Sequence, residues 1–312
     1  MSRPSMPLLA QPGSLDVPFN PTDQGFGAVS GLTSAIAYQP DGKILIAGRT
    51  YFNQNNGPII RLNPDGSLDP SFSCRFRNEN INAMVCLPDG KIMVGGWATW
   101  TETPNIARLN SDGSIDGSFN TGTGADGSIE TIAIQPDGKV LIGGAFTNYN
   151  GNFQPRIARL NPDGTIDKSF KYLVIAIPNH SIFAIAVAPD GKLLVGDGGS
   201  LVLLNPDGSL DENFRINFPV SGGFGSFVFS RDGKVLVGGS FVYRTKYGEA
   251  RHDLMRLDEN GSLDETFKSD LEDGGFIQSI FYQLDGKLLI INILKCIEQI
   301  KIWKNFLSHS YC

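Results

Sequence analysis

The chain has 312 residues, of which 41% are hydrophobic and 19% are charged, and its formal net charge is −6. This composition, with 37 glycines and 18 prolines, indicates a folded chain with a sizeable core and many tight turns rather than a disordered one. The acidic balance argues against nucleic acid as a partner. No apolar run approaches the roughly 18 to 20 residues of a membrane-spanning helix, so membrane insertion is not expected.

The N-terminus lacks the continuous apolar stretch that is typical of a secretory signal. The repeat pattern divides the chain into an N-terminal extension, residues 1–12, and a repeat region, residues 13–292. An atypical C-terminal segment, residues 293–312, completes or caps the last repeat.

Six copies of a strand–turn–strand pattern form the first half of each repeat, beginning with AIAYQPDGKILIAG at Ala35. Their turns are 42 to 53 residues apart, a period typical of propeller blades or solenoids. Apolar residues occupy both faces of these strands, which predicts sheets buried on both sides. The turn aspartates are Asp41, Asp89, Asp137, Asp190, Asp232 and Asp285.

A second hairpin pattern follows in five of the repeats, first as IIRLNPDGSLDPSF from Ile59 to Phe72. Its register places Arg61 opposite Asp69, an ion pair worth at most about 1 kcal/mol if exposed. The same register pairs Arg108 with Asp116, Arg159 with Asp167 and Arg256 with Asp264. The fourth repeat departs from it, because Leu203 faces Asp211.

Two hairpins per repeat predict an all-β, six-bladed β-propeller of four-stranded antiparallel blades. The segment Gly13–Phe19 is a loose copy of the last strand of a repeat, and we expect this N-terminal strand to close the ring. The sixth blade is atypical, because the GG, aromatic and RLN elements of the other repeats are replaced there by another sequence. Helical spacing is followed by Ile293, Ile297, Ile300, Trp303 and Leu307. A capping helix, a degenerate strand and a truncated or frame-shifted end are the alternatives.

The connections opposite the turns vary in length, as functional loops on a regular scaffold do. Aromatic residues in these loops, surrounded by Asn, Gln and Thr, could stack on sugar rings. The ligand-binding candidates are Phe52, Trp100, Tyr149 and Tyr243. The alternative is that each ring folds back into a small satellite core.

No catalytic residue, metal site or cofactor is predicted. The three histidines, His180, His252 and His309, are far apart in the sequence, and the four cysteines are spaced like free thiols. The N-x-D-G-x-x-D pattern at Asn63 resembles part of a calcium loop. Arg61 stands where that loop needs a further acidic ligand, which favours a plain hairpin.

The QPDGK turns, the GG-aromatic strand ends and the RLN-DGS-D-F hairpins resemble the delta-60 repeat proteins, a family of propellers. The resemblance covers roughly residues 13–292. The resemblance implies a non-enzymatic interaction module that presents its variable loops to a glycan or protein. It also implies that the module is extracellular or part of a surface or phage-tail assembly. A hydrolase or lactonase-like enzyme using the central channel, and a structural spacer, are the alternatives.

Overall fold

The computed structural model describes residues 30–51, 58–74, 80–97, 105–171, 181–230, 232–268, 275–282, 288–294 and 297–303. Within these ranges the chain is all β and forms six three-stranded antiparallel sheets and one two-stranded hairpin. None of the described residues forms a helix that could cross a membrane.

Each sheet is built from one repeat, and its strands follow one another in chain order. The first two sheets contain β1 (Ser30–Tyr38), β2 (Ile44–Tyr51), β3 (Ile59–Leu62), β4 (Asn80–Cys86), β5 (Ile92–Trp97) and β6 (Ile106–Leu109). The third contains β7 (Ile129–Ile134), β8 (Val140–Gly144) and β11 (Ile157–Leu160), with β9 (Asn148–Tyr149) and β10 (Asn152–Phe153) as a separate hairpin. The fourth to sixth contain β12 (Ala184–Val187), β13 (Leu193–Gly196), β14 (Leu201–Leu204), β15 (Val220–Phe229), β16 (Val235–Arg244), β17 (Ala250–Leu257), β18 (Gly275–Tyr282), β19 (Leu288–Leu294) and β20 (Ile297–Trp303).

The first strand of each sheet contacts the first strand of the next sheet, in chain order from β1 to β18. We call these six first strands the inner strands. Hydrophobic clusters fill the space between neighbouring sheets, so that Leu45 and Ile59 of the first sheet pack with Ile81 and Val94 of the second. The sheets are therefore buried on both faces, as their apolar pattern predicts.

Both kinds of turn lie at one end of the sheets. The turn at Gln39–Lys43 joins the first two strands, and the turn at Asn63–Ser67 follows the third. Neighbouring repeats meet there, because Ser73 N–H donates to Asp112 O at 2.9 Å. We call this end the turn face and the opposite end the loop face. Both turns therefore share one face.

Glycine pairs near the ends of the middle strands make room for two different neighbours. A Cβ on Gly143 would lie 2.7 Å from Cγ2 of Ile182, so the first glycine admits a side chain of the next repeat. A Cβ on Gly144 would overlap the carbonyl oxygen of Ser128. That carbonyl precedes a β-bulge between Ile129 and Thr131 on the inner strand.

In the first three repeats, the arginine of the second hairpin fastens the repeat to the next one at the turn face. Arg61 Nε donates to Asp69 Oδ2 at 2.9 Å, its guanidinium lies 4.9 Å from the centre of the Phe72 ring, and Nη1 donates to Ser111 O of the second repeat. Only 6% of Arg61 and of Asp69 is exposed. We call this arrangement the arginine clasp. The predicted ion pair is confirmed, and it is buried rather than exposed.

Acid should weaken the clasps. The Ser71 hydroxyl and the Lys43 ammonium hold the pKa of Asp69 well below its ordinary value of 3.8, despite the opposing effect of burial. A carboxyl whose pKa is depressed by folding stabilises the protein above its unfolded pKa and loses this contribution as pH falls. We expect the free energy of unfolding to stay level between pH 7 and about pH 5 and to fall below about pH 4. Urea titrations at these pH values test this, and equal stability at pH 7 and pH 3 would contradict it.

The predicted fourth strand is reduced to one residue per repeat, which corrects the four-stranded blade for the described repeats. A single bridge joins Leu62 to Leu68, with Asn63 N–H donating to Ser67 O as the predicted register requires. Asp69 then accepts hydrogen bonds from the backbone and hydroxyl of Ser71 at 2.9 and 2.6 Å. These bonds turn the chain away from the sheet, so the ladder stops. Equivalent bridges end at Ile115, Ile166, Leu210 and Leu263.

The C-terminal segment contributes a strand rather than the helix suggested by its spacing. β20 pairs with β19 in antiparallel register from Ile297 opposite Leu294 to Trp303 opposite Leu288. The free edge of β19 offers a full row of backbone partners, which outweighs a local helical preference. The proposed closing strand, Gly13–Phe19, lies outside the described residues, so the six-bladed count and the ring closure stay predictions.

Candidate functional site

Most exposed aromatic side chains of the described residues belong to segments that leave or enter the sheets at the loop face. Among the described residues, six aromatic side chains are largely exposed, and only Tyr38 of these lies toward the turn face. The other five end a middle strand, begin an inner strand or belong to a loop-face hairpin. They are Trp97, Phe153, Phe183, Tyr247 and Phe276, with exposed fractions from 40% to 81%. We call these five residues the loop-face aromatics.

The third repeat presents Phe153 on a short hairpin made by β9 and β10. Asn150 and Gly151 both have positive φ, at 46° and 70°, as the two central residues of a type I′ turn require. This Asn-Gly pair is the usual sequence for such a turn. Phe153 is 69% exposed, and Asn152 beside it is also exposed.

Asp126 anchors this hairpin to the preceding connection. Its carboxylate accepts hydrogen bonds from the backbone N–H groups of Thr147 and Asn148 at 2.7 and 2.8 Å. The side chains of the same two residues donate to its other oxygen at 2.7 Å each. Burial alone would raise the pKa of Asp126, but these four bonds hold the pKa well below its ordinary value. The hairpin is therefore fixed while Phe153 faces solvent.

The fifth repeat presents Tyr247 at the tip of the extended hairpin of β16 and β17. Thr245 N–H donates to Glu249 O at 2.9 Å, and Gly248 has a φ of 81°. Tyr247 is 81% exposed, and the Lys246 ammonium lies 5.0 Å from the centre of its ring. Lys246 N–H donates to Glu265 Oε1 at 2.8 Å, which ties the tip to the outer edge of the sheet.

Two of the four predicted ligand-binding aromatic residues, Tyr149 and Tyr243, are buried. This is the placement that the alternative interpretation, a small satellite core, describes. Tyr149 is completely buried and its hydroxyl donates to Gly164 O at 3.1 Å. Tyr243 is 2% exposed, packs on Phe241 and donates to Leu254 O at 3.1 Å. Burial raises the pKa of both phenols. Phe52 and Trp100 lie outside the described residues.

Polar side chains meet at the bulges of the inner strands. Asn82 Nδ2 donates to Glu130 Oε2 at 2.9 Å, and Ser128 Oγ donates to Glu130 Oε1 at 2.6 Å. The Ser34 hydroxyl donates to Ile81 O. In the fourth and fifth repeats the same position holds Phe183 and Gly225, with Phe276 of the sixth repeat against Gly225. The inner edge is thus polar in the first three repeats and aromatic in the next.

Residues weighed for metal or thiol chemistry take structural roles in the described part of the chain. Asp65 binds the backbone and hydroxyl of Ser67 at 2.9 and 2.6 Å, as the hairpin interpretation of the calcium-like pattern predicts. No group of three or more His, Cys, Asp or Glu side chains is placed to hold a metal within these residues. Cys86 is a free thiol, and burial raises its pKa to about 11.

One family model matches the chain in five stretches: residues 39–72, 87–119, 135–170, 188–214 and 231–267. Together they make up more than half of the chain, and each runs from the first turn of a repeat to its terminal phenylalanine. The model describes a domain of unknown function, the DUF5122 β-propeller. The chain belongs to the DUF5122 β-propeller family. The predicted propeller repeat is thereby confirmed, while the name delta-60 repeat stays a prediction, and the sixth repeat falls outside the matched stretches.

Solved structures show the same fold at low sequence identity. The DUF5122 chain matches a catalytically inactive virginiamycin B lyase from Staphylococcus aureus with quinupristin at 17% identity and a TM-score of 0.55, covering 88% of this chain and 85% of that one. It matches a gluconolactonase from Xanthomonas campestris at 14% identity and a TM-score of 0.51, covering 84% and 83%. At these identities the likeness shows the propeller fold alone.

A third structure is the extracellular domain of a putative one-component system from B. thetaiotaomicron, at 13% identity and a TM-score of 0.53. The match covers 88% of the DUF5122 chain but only 38% of that domain. No curated protein matches the DUF5122 chain.

Proposed function

We propose that this propeller is a non-enzymatic interaction module that binds a carbohydrate through its loop face. The observation that carries the proposal is that, among the residues the structure describes, five of the six exposed aromatic side chains belong to segments that leave or enter the sheets at the loop face. Exposed aromatic rings grouped on one surface are typical of binding sites. Sugar rings present C–H faces that stack on aromatic rings and hydroxyls that bond to amides.

The third-repeat hairpin combines both kinds of contact. Phe153 offers an open ring, and Asn150 and Asn152 stand beside it on the same turn. Asp126 holds the hairpin in place, so little conformational entropy is lost when a ligand binds. Trp97 and Tyr247 present further open rings on the second and fifth repeats.

Removing these rings should abolish binding without unfolding the protein. We expect the triple variant Trp97→Ala, Phe153→Ala, Tyr247→Ala to lose at least about 100-fold in affinity for any glycan that the wild type binds. Because the three side chains are exposed, its midpoint of thermal unfolding should change by only a few degrees, on the order expected for surface substitutions. A glycan array and a thermal melt make the two measurements.

Tyr38→Ala is the matched control, since Tyr38 is 66% exposed but lies toward the turn face. It should keep full glycan binding. Equal loss of binding in both variants, or wild-type binding that survives the triple substitution, would rule out the loop face as the site. Specific capture of a protein ligand that depends on the same three rings, with no glycan bound, would replace the carbohydrate by a protein partner.

An enzyme that uses the central channel is the second candidate function, and the hydrogen bonds that Glu130 accepts from Asn82 and Ser128 favour it. Glu130 is held by Asn82 and Ser128, so its two oxygens are fixed in position at the inner edge. A hydrolase of this kind would need Glu130 as a general base or acid. Screening the wild type and Glu130→Gln against lactones and esters tests it, and turnover lost in the variant would favour catalysis over simple binding.

We also propose an extracellular or surface-associated setting, alone or in a larger assembly. The support is the resemblance to surface and tail-associated repeat proteins, together with a structural relative that is an extracellular domain.

A further inference from the structure

The arginine clasp recurs along the turn face with nearly identical contacts. Each guanidinium receives a carboxylate, the face of a phenylalanine and, in the first three repeats, a carbonyl of the following turn. In the second repeat Arg108 bonds to Asp116 at 2.6 Å and to Pro162 O at 2.6 Å, and it lies 4.8 Å from the centre of the Phe119 ring. Arg159 repeats this set with Asp167, Pro206 O and Phe170, and Arg256 retains Asp264 and Phe267.

The fourth repeat keeps the surroundings of the clasp but not its arginine. Leu203 takes the arginine position, with Asp211 N–H donating to Leu203 O at 2.9 Å, as in the other repeats. Asp211 and Phe214 occupy the positions of the carboxylate and the ring, and both are buried. The next turn is also in place, because Arg215 N–H donates to Asn260 O at 2.9 Å.

A cavity of about 440 Å³ adjoins Leu203 and Phe214. The corresponding cavity between the first two repeats, about 360 Å³, is lined by Arg61, whose guanidinium covers the Phe72 ring. The apolar wall of the larger cavity includes Leu203, Phe214 and Phe229, and its opposite rim is the turn residues Asp258 and Glu259. Glu259 is the counterpart of Ser111, Pro162 and Pro206, whose carbonyls accept from the clasp arginines.

The charges at this cavity favour a cation. Four carboxylates of the described residues line it, of which Asp258 pairs with Lys234 at 3.0 Å. Lys192, the ammonium group among the described lining residues, pairs with Asp211 at 3.0 Å. In the first repeat the corresponding carboxylate oxygen, Asp69 Oδ2, accepts from both Lys43 and Arg61 at 2.9 Å. Asp211 Oδ2 thus has its lysine but lacks the arginine of its counterparts. The four lining carboxylates are Asp190, Asp232, Asp258 and Glu259.

We propose that this cavity is a binding site for a guanidinium group, supplied by an arginine side chain of a partner polypeptide or by a small free molecule. The group would lie on the Phe214 ring, bond to Asp211 Oδ2 and donate to the turn at Glu259, as the chain's own arginines do in the other repeats. A planar guanidinium suits these three partners because it can stack on the ring while its N–H groups point in fixed directions. An ammonium group is a compact charge and cannot stack in this way.

Calorimetric titration with N-acetyl-arginine methylamide tests the site on the full chain. We expect a Kd of about 1 mM or tighter, and at least tenfold weaker binding of N-acetyl-lysine methylamide. Leu203→Arg should weaken binding at least tenfold, because its own guanidinium fills the cavity, and it should raise the melting temperature. Leu203→Met, which keeps an apolar side chain of similar volume, should bind like the wild type.

A further arm separates the sources of the guanidinium group. Methylguanidinium and a Gly-Gly-Arg-Gly-Gly amide are titrated in parallel: tighter binding of the peptide assigns the site to a partner chain, and binding of methylguanidinium alone assigns it to a small molecule. Absence of binding of all three guanidinium probes to the wild type, or binding unchanged by Leu203→Arg, would overturn the proposal.

Discussion

Replacing Gly144 by alanine is expected to lower the free energy of unfolding by at least about 3 kcal/mol. The new Cβ would overlap the carbonyl oxygen of Ser128 and lie 2.9 Å from Cα of Ile129. Both are backbone atoms of the inner strand, so no rotamer change can relieve the contact. The bulge that brings this carbonyl over the middle strand recurs in neighbouring sheets, which explains why the second glycine of the pair recurs as well.

Gly117→Ala is the matched control for this substitution. No atom lies within 4 Å of the position where its Cβ would be, and its φ is not in the positive range. We expect a change within about 0.5 kcal/mol. Chemical denaturation of the three proteins measures both effects, and similar stability of Gly144→Ala and Gly117→Ala would show that the bulge does not constrain the middle strand.

Removing the carboxylate of a complete arginine clasp should have a similarly large effect. Asp167→Ala leaves Arg159, which is 5% exposed, without its carboxylate, and it also removes the hydrogen bonds to the backbone and hydroxyl of Ser169. Breaking one side of a buried ion pair typically costs about 3–5 kcal/mol. We expect a loss in that range in the free energy of unfolding.

The fourth repeat provides the internal comparison. Asp211→Ala removes the equivalent carboxylate where no arginine is present, and its remaining lysine partner is 37% exposed in the side chain. It should therefore cost roughly 2 kcal/mol less than Asp167→Ala. Equal losses from the two substitutions would mean that the turn geometry of the aspartate, rather than the arginine clasp, accounts for the stability.

Hairpin registers were predictable from the sequence because short-range turn chemistry determines them. Asn63 opposite Ser67 and Arg61 opposite Asp69 follow from the position of the Asp-Gly turn. Burial of the Arg61–Asp69 pair was not predictable, since it depends on the turn of the next repeat and on Phe72, both separated from Arg61 in the sequence. The shortening of the fourth strand depends on the turn that Asp69 forms with Ser71. The sequence pattern alone did not show that the chain forms this turn instead of continuing the strand.

The aromatic residues that the sequence singled out are not the ones that the described part of the structure exposes: Tyr149 and Tyr243 are buried, and the exposed rings include Phe153 and Tyr247. Tyr149 and Phe153 lie on facing strands of one tight hairpin, and only the packing of that hairpin on Gly164 and Ala125 determines which ring is buried. The Asn150–Gly151 turn was the available signal, because it defines a hairpin in which the two rings have different surroundings. A similar sequence signal was available for Tyr247, because the glycine that follows it, Gly248, indicates a turn at this position.

A crystal structure of the protein soaked with a mixture of mono- and oligosaccharides tests the central claim most directly. The proposed function predicts a sugar stacked on at least one of Trp97, Phe153 and Tyr247, with amides such as Asn152 bonded to its hydroxyls. A sugar bound beside Glu130 at the inner strands, with the loop-face aromatics unoccupied, would contradict the account and favour the channel enzyme.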